Sequence, residues 1–144
     1  MLRFVGLACL LIVSFACVSS ANAQTMRLTG RWQQTVSNAG QCDTCQITVQ
    51  QEGLVLRVTS NNGWFAIIDA GKTKNSLSGV GHWKPGHGGP YGGKPFSISF
   101  TLTAGQLYMH MAVPADNGAA RLIKAIFERL PAEDPAPSDD KIKA

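Results

Sequence analysis

The longest alternation of apolar and polar residues in the chain spans 96–113 and is interrupted once, at Ala104-Gly105-Gln106. On the two sides of that turn the apolar positions are Phe96, Ile98, Phe100, Leu102, Leu107, Met109, Met111 and Val113. A period of two places such positions on one face of a strand. The pattern therefore predicts a β-hairpin with one buried face, which the rest of the chain must cover.

Five earlier segments between turn residues are also typical of strands. They are predicted as the first five strands and span 30–36, 47–50, 54–59, 64–69 and 77–83. Glu52-Gly53, Asn61-Asn62-Gly63 and the segment 71–75 have the composition of turns between them. The segment 64–69 is apolar on both faces, so we expect it to touch a ligand, a partner or the covering tail as well as the core.

The last candidate strand, 121–130, has a composition that fits a helix as well as a strand. We prefer a strand because Ile123, Ala125 and Phe127 form an alternating set and because a sheet of seven strands would leave an edge to close. Eight strands in sequential order, joined mostly by short turns, predict an all-β fold, an eight-stranded antiparallel up-and-down barrel. A β-sandwich is the alternative, but it usually needs longer crossings between its two sheets.

The two ends of the chain differ in composition from the predicted barrel. Residues 1–23 have a basic start, an apolar run over 7–18 and the small-residue ending Ala21-Asn22-Ala23, which together are typical of a signal peptide. Cleavage near Ala23 would place the protein in the periplasm or outside the cell. The barrel domain is expected to span 24–130, and the acidic, proline-rich tail over 131–144 is expected to be disordered.

Charge and motif content narrow the classes of function. The 144 residues include 13 Lys and Arg against 9 Asp and Glu, a net charge of +4 that is scattered along the chain, so nucleic-acid binding is not expected. The apolar run of the leader is too short for a membrane-spanning helix, so we expect no stable membrane anchor. Because neither a Gly-x-Ser-x-Gly motif nor a paired-carboxylate arrangement is present, we expect no enzymatic activity and no cofactor.

Cys42 and Cys45 form a Cys-x-x-Cys motif. In an exported protein they are expected to form a disulfide that staples the first hairpin loop. A thioredoxin-like redox function would need a helix after the motif, whereas a strand pattern follows it here. Covalent haem attachment would need histidine where Gln46 stands, and a zinc site would need two further ligands.

The segment 81–95 is the one long connection, and it concentrates glycine and aromatic residues. It resembles a phosphate-binding loop at Gly88-x-x-x-x-Gly93-Lys94. However, Pro95 stands where Ser or Thr would reach magnesium, and a strand follows where a helix should begin. These differences exclude nucleotide binding.

The same segment contains two histidines and two aromatic rings. His82 and His87 have no third ligand nearby in sequence, so we favour a flexible loop at the barrel mouth over a metal site. Trp83 and Tyr91 are residues of the type that cover a ligand or meet a partner.

An eight-stranded barrel is either filled by its own side chains or holds one small ligand. Gly79 and Gly81 are expected to leave room beside Phe100, Met109 and Met111, although core packing is the ordinary role of methionine. The candidate ligand-binding residues are therefore Trp64, Trp83, Tyr91, Phe100, Met109 and Met111.

Gly30-x-Trp32 at the start of the first strand and Arg129 near the end of the last resemble the two ends of calycin barrels, the superfamily of lipocalins, avidins and bacterial periplasmic inhibitors of metalloproteases. The resemblance implies that the Arg129 guanidinium packs across Trp32 and closes one barrel end, where cation–π attraction would hold it. The inhibitor branch is similar in mature size, in export and in having Leu28-x-Gly30-x-Trp32 followed by a cysteine. Its disulfide, however, joins cysteines far apart in sequence.

Together these patterns predict an exported, non-enzymatic binding barrel for a small apolar or amphipathic ligand. One alternative is a protein-binding barrel, such as a periplasmic protease inhibitor that inserts residues 24–28 into an enzyme cleft. The other is a structural envelope protein without a ligand.

Overall fold

A computed structural model of the chain describes residues 27–69 and 77–133. The expected signal peptide, the turn over 71–75 and most of the expected tail lie outside the described residues. The strands are β1 (Gly30–Ser37), β2 (Gln46–Glu52), β3 (Val55–Ser60), β4 (Trp64–Asp69), β5 (Leu77–Trp83), β6 (Pro95–Thr103), β7 (Gln106–Pro114) and β8 (Ala120–Arg129). In the described part of the chain no helix is both long and apolar enough to cross a membrane.

Each strand pairs antiparallel with the next one along the chain, and β8 pairs with β1 to close the ring. The predicted fold class, an all-β eight-stranded up-and-down barrel, is therefore confirmed. The segment 121–130, whose composition fits a helix as well as a strand, forms most of β8. In this strand Arg129 is opposite Trp32 of β1, and Phe127 is opposite Leu107 of β7.

The predicted hairpin forms the β6–β7 pair, with Leu102 opposite Leu107. Seven of its eight apolar positions are buried, and Leu102 is partly buried where the hairpin approaches its turn. The alternating set of β8 is buried as well. Period-two alternation thus identified the inward face of three consecutive strands.

The predicted start of the third strand, at Leu54, was wrong. The backbone pairs Glu52 with Val55, which leaves Gly53 and Leu54 as a two-residue turn. Gly53 has a φ of 61°, the left-handed conformation that such a turn requires, and Leu54 is 91% exposed. The strand begins one residue later than expected because turn geometry overrides the alternation that included Leu54.

Alternating connections lie at opposite ends of an up-and-down barrel. The end that carries the start of β1 and the finish of β8 is called the Trp32 end. There the Arg129 guanidinium carbon lies 4.2 Å from the centre of the Trp32 ring, and the Trp32 indole donates to the Leu28 carbonyl oxygen at 2.9 Å. Arg129 also donates to the carbonyl oxygens of Thr29, at 2.7 Å, and Arg27. A guanidinium and an indole therefore cover this end of the interior, as the calycin resemblance implies.

A side chain at position 30 would disturb this arrangement. A Cβ on Gly30 would lie 2.7 Å from a terminal nitrogen of Arg129. The glycine of Gly30-x-Trp32 thus leaves the space in which the guanidinium crosses the ring.

Candidate functional site

The opposite end of the barrel, which carries the connections β1–β2, β3–β4, β5–β6 and β7–β8, contains a cavity of about 380 Å³. It is called the upper cavity. Its lining residues in the described part of the chain carry no charge; they are Gln34, Ser37, Ala39, Gly40, Gln41, Cys42, Cys45, Asn62, Trp64, Trp83, Gly88, Tyr91, Met109, Met111 and Ile123. Five of the six candidate ligand-binding residues are therefore brought together at one site.

Aromatic rings form one wall of the upper cavity. Trp64 of β4 and Trp83 of β5 are directly opposite each other in the ladder. Phe96 meets both indoles edge-on, with ring centres 5.8 Å and 6.5 Å away, and fixes them from the core side. Tyr91 stacks on Trp83 with ring centres 5.8 Å apart. Such paired rings offer a flat apolar surface whose shape is set by their mutual packing.

The connection between β5 and β6 places Tyr91 over Trp83. It contains a single 3₁₀ turn, Gly89–Tyr91, and the Trp83 carbonyl oxygen accepts from the Gly93 amide at 3.1 Å. Gly88, before that turn, has a φ of 72°, and a Cβ there would lie 2.3 Å from the Trp83 ring. Glycine is therefore required both for the backbone conformation and for close approach to the indole.

His82, on β5, and His87, in the connection between β5 and β6, make different contacts. A ring nitrogen of His82 lies 3.0 Å from the Trp83 carbonyl oxygen, and the His87 side chain packs against Gly63. Within residues 27–69 and 77–133 no three His, Cys, Asp or Glu side chains converge as metal ligands. The described side chains that line the upper cavity are mainly aromatic rings, methionines and amides.

Cys42 and Cys45 form the expected disulfide, which lies on the rim of the upper cavity. The rim is fastened to the β3–β4 turn, because Asn61 donates to the Thr44 carbonyl oxygen at 2.7 Å and accepts from the Gln46 amide at 2.9 Å. Asn62 donates to the Cys45 sulfur at 3.5 Å. Two loops from different hairpins thus form one connected rim.

Removal of the disulfide is expected to lower stability moderately. For a closed loop as short as that between Cys42 and Cys45, the chain-entropy account gives about 2 kcal/mol. The double variant Cys42→Ser/Cys45→Ser should therefore lose about 2 kcal/mol in a urea titration while keeping the far-ultraviolet spectrum of a β protein. Wild-type protein treated with a reductant should show the same loss, and an unchanged midpoint in both would contradict a stabilising role for the bridge.

Gln34 is a cavity residue that the sequence analysis did not single out. It lies two residues after Trp32, and its partner across the ladder is Phe127, which is buried. Period-two spacing from Trp32 would have placed Gln34 on the inward face. A register shift in β1 between Gln34 and Val36 then leaves Val36 exposed, and this change of phase obscured the pattern.

Gly79 and Gly81 do not enlarge the interior, so that expectation was wrong. A Cβ on Gly79 would lie 1.9 Å from the carbonyl oxygen of Ile67, because β4 approaches there too closely for a side chain. A Cβ on Gly81 would lie 2.3 Å from the ring of Phe96. The space that these glycines leave is already filled by backbone and by an aromatic ring.

Phe100 lies apart from the other candidates. It is buried opposite Leu77 and Met109 and does not line the upper cavity. Met109 and Met111 lie deeper in the cavity wall than the rim residues and are both buried. The interior is therefore packed towards the Trp32 end and hollow towards the other.

Comparison of the chain with protein-family models, with curated proteins and with solved structures found no match. The geometry of the barrel and of the upper cavity is consequently the basis for assigning a function.

Proposed function

We propose that the protein is an exported, non-enzymatic binding barrel that holds one small apolar or amphipathic molecule in the upper cavity. The observation that carries the proposal is an uncharged cavity of about 380 Å³ walled by Trp64, Trp83 and Tyr91. Ligand sites are typically concave and mostly apolar, with a few polar groups that fix orientation. The upper cavity has that composition.

The size and the lining of the upper cavity indicate which class of ligand it fits. An apolar cavity of about 150 Å³ is enough for one benzene molecule, so the upper cavity has room for roughly two fused rings. The thioether side chains of Met109 and Met111 adapt to irregular shapes and contact aromatic rings favourably. A charged ligand would lose its hydration without finding a partner in this lining, which favours a neutral molecule.

The architecture supports a calycin-like relationship for the barrel. The strands follow sequential order around a closed ring, and Arg129 stacks on Trp32 at one end while the cavity opens at the other. An eight-stranded barrel that is not filled by its own side chains holds a single ligand between its inward faces in this way.

The neighbourhood of Leu28 favours a ligand-binding barrel over an inhibitor that inserts residues 24–28 into a protease. Leu28 is 3% exposed, and its carbonyl oxygen accepts the Trp32 indole hydrogen bond. The end of that segment is consequently part of the barrel core and not a free projection.

Native mass spectrometry of gently purified protein, followed by tryptophan-fluorescence titration against a library of lipids and aromatic compounds, tests the proposal. A bound mass that is released on denaturation, or a saturable change in fluorescence with one site per chain, would support it. A barrel that retains no mass and responds to no compound in the library would contradict it.

Trp64→Leu is expected to weaken the binding of any library ligand about tenfold. The reason is that the substitution removes the indole face from the cavity wall while leaving an apolar side chain. The matched control is Phe65→Leu, because Phe65 is the next residue on β4 and points outward, with 36% of its surface exposed. Equal losses in the two variants would contradict a binding role for Trp64.

A further inference from the structure

Three carboxamide side chains line the upper cavity, and two of them are already engaged within the protein. Gln41 donates to a carboxylate oxygen of Asp43 at 2.9 Å. Asn62 donates to the Cys45 sulfur, and its oxygen accepts from the Ser60 hydroxyl. These two amides hold the rim in place and therefore have fewer free hydrogen-bond donors and acceptors for a ligand.

The third carboxamide, that of Gln34, is free. Its backbone amide donates to the Cys45 carbonyl oxygen at 2.8 Å, which completes the local main-chain pairing. Its side chain makes no hydrogen bond with any residue in the described part of the chain. The carboxamide therefore lines the cavity with two N–H donors and a carbonyl acceptor unused.

The position of Gln34 on β1 places its unpaired carboxamide where a ligand would meet it. It lies on the inward face next to Trp32, and Phe127 is opposite it in the ladder, so its surroundings on the core side are apolar. Gln34 is half-buried, so its carboxamide faces the open part of the cavity, where a ligand would replace water as its hydrogen-bond partner.

We propose that Gln34 is the specificity-determining residue of the upper cavity and that the ligand is a neutral ring compound with an adjacent hydrogen-bond donor and acceptor, as in a lactam or a carboxamide. This inference rests on the proposed function. A planar carboxamide and a lactam present complementary donor and acceptor pairs, so they form two parallel hydrogen bonds. The rings of the ligand then lie among Trp64, Trp83 and Tyr91.

The uncharged lining separates this class from acids and amines. A carboxylate or an ammonium group would meet no opposite charge among the described lining residues, because the Arg121 guanidinium, whose carbon lies 5.9 Å from the centre of the Tyr91 ring, is outside that lining. A neutral lactam loses little hydration by comparison and regains both hydrogen bonds.

Calorimetric titration with three matched probes tests the inference. The probes are 2-quinolinone, a fused bicycle with adjacent N–H and C=O groups; N-methyl-2-quinolinone, which lacks the donor; and naphthalene, which lacks both groups. The wild-type protein is expected to bind 2-quinolinone about tenfold more tightly than naphthalene, with the methylated probe between them. In Gln34→Leu the preference should disappear while the affinity for naphthalene stays the same or rises.

The control is Gln50→Leu, the same substitution at an exposed position on β2, which should bind all three probes like the wild type. If Gln34→Leu does not fold, as judged by thermal melting, Gln34→Met provides the same loss of the amide with a more flexible side chain.

The outcomes distinguish this inference from the proposed function. If naphthalene binds but 2-quinolinone has no advantage, or if Gln34→Leu weakens both probes equally, the role of Gln34 is overturned and the binding barrel stands. If no probe binds while the library yields a ligand without adjacent donor and acceptor groups, the inference is likewise overturned. If no compound of any class binds, the proposed function fails and the inference fails with it.

Discussion

Trp32→Ala is expected to destabilise the protein by about 3–5 kcal/mol, the loss typical of truncating a large buried aromatic side chain. Trp32 is 1% exposed and is the largest of the fully buried side chains. The substitution also leaves the Leu28 carbonyl oxygen without its indole donor and the Arg129 guanidinium without the ring beneath it. Urea denaturation followed by far-ultraviolet circular dichroism measures the change.

Two further variants divide this loss between its causes. Trp32→Phe keeps a ring under Arg129 but removes the indole donor, so it should lose less than the alanine variant. Arg129→Lys keeps the charge but not the planar guanidinium that stacks and donates to two carbonyl oxygens; a loss of about 1 kcal/mol is expected. A loss below about 1 kcal/mol for Trp32→Ala would show that the Trp32 end does not depend on this contact.

Gly79→Ala is expected to cost about 3 kcal/mol, which is large for the addition of one methyl group. The added Cβ would lie 1.9 Å from the Ile67 carbonyl oxygen and 2.8 Å from the Ile68 Cα, both backbone atoms of β4. Because backbone atoms cannot rotate away as a side chain can, β4 and β5 would have to separate. The expected result is a lower midpoint in thermal and urea denaturation.

Ser78→Ala is the control for this variant, because Ser78 is the preceding residue of β5 and faces outward. It should change stability by less than about 0.5 kcal/mol. Gly81→Ala should lie between the two, since its Cβ would lie 2.3 Å from the Phe96 ring as well as 2.4 Å from the Phe65 carbonyl oxygen, and a side chain shifts more readily than backbone. Equal stabilities for Gly79→Ala and Ser78→Ala would show that β4 moves away from the added methyl group without a loss of stability.

The strand order and the inward face could be predicted because both depend on short-range pattern. Alternation over Phe96–Val113 and the turn at its centre specify a hairpin locally, and sequential short connections make neighbours of consecutive strands. Leu54 shows the limit of that reasoning. Its apolar side chain continued the alternation, but the two-residue turn required by the pairing of Glu52 with Val55 placed it in solvent.

The cavity was harder to predict than the wall that surrounds it. Whether a glycine creates room depends on how closely the next strand approaches, and this distance is set by tertiary packing that the local pattern does not contain; at Gly79 a Cβ would lie 1.9 Å from the Ile67 carbonyl oxygen. Gln34 was missed because the register shift that follows it changes the phase of β1. Tyr91 and Trp83 could be suggested as a pair from composition, but their stacking depends on the backbone path through Gly88.

Closure of the ring through β1 and β8 has a consequence for how the chain folds. The two strands that complete the ladder are the first and the last in sequence, with Trp32 opposite Arg129, so the ladder cannot close until nearly the whole domain has been synthesised. Contacts at such long sequence separation slow folding. Until these contacts form, β1 and β7 each present an unpaired edge. A chain truncated before Ala120 would keep those edges permanently and would be expected to aggregate by strand pairing between molecules.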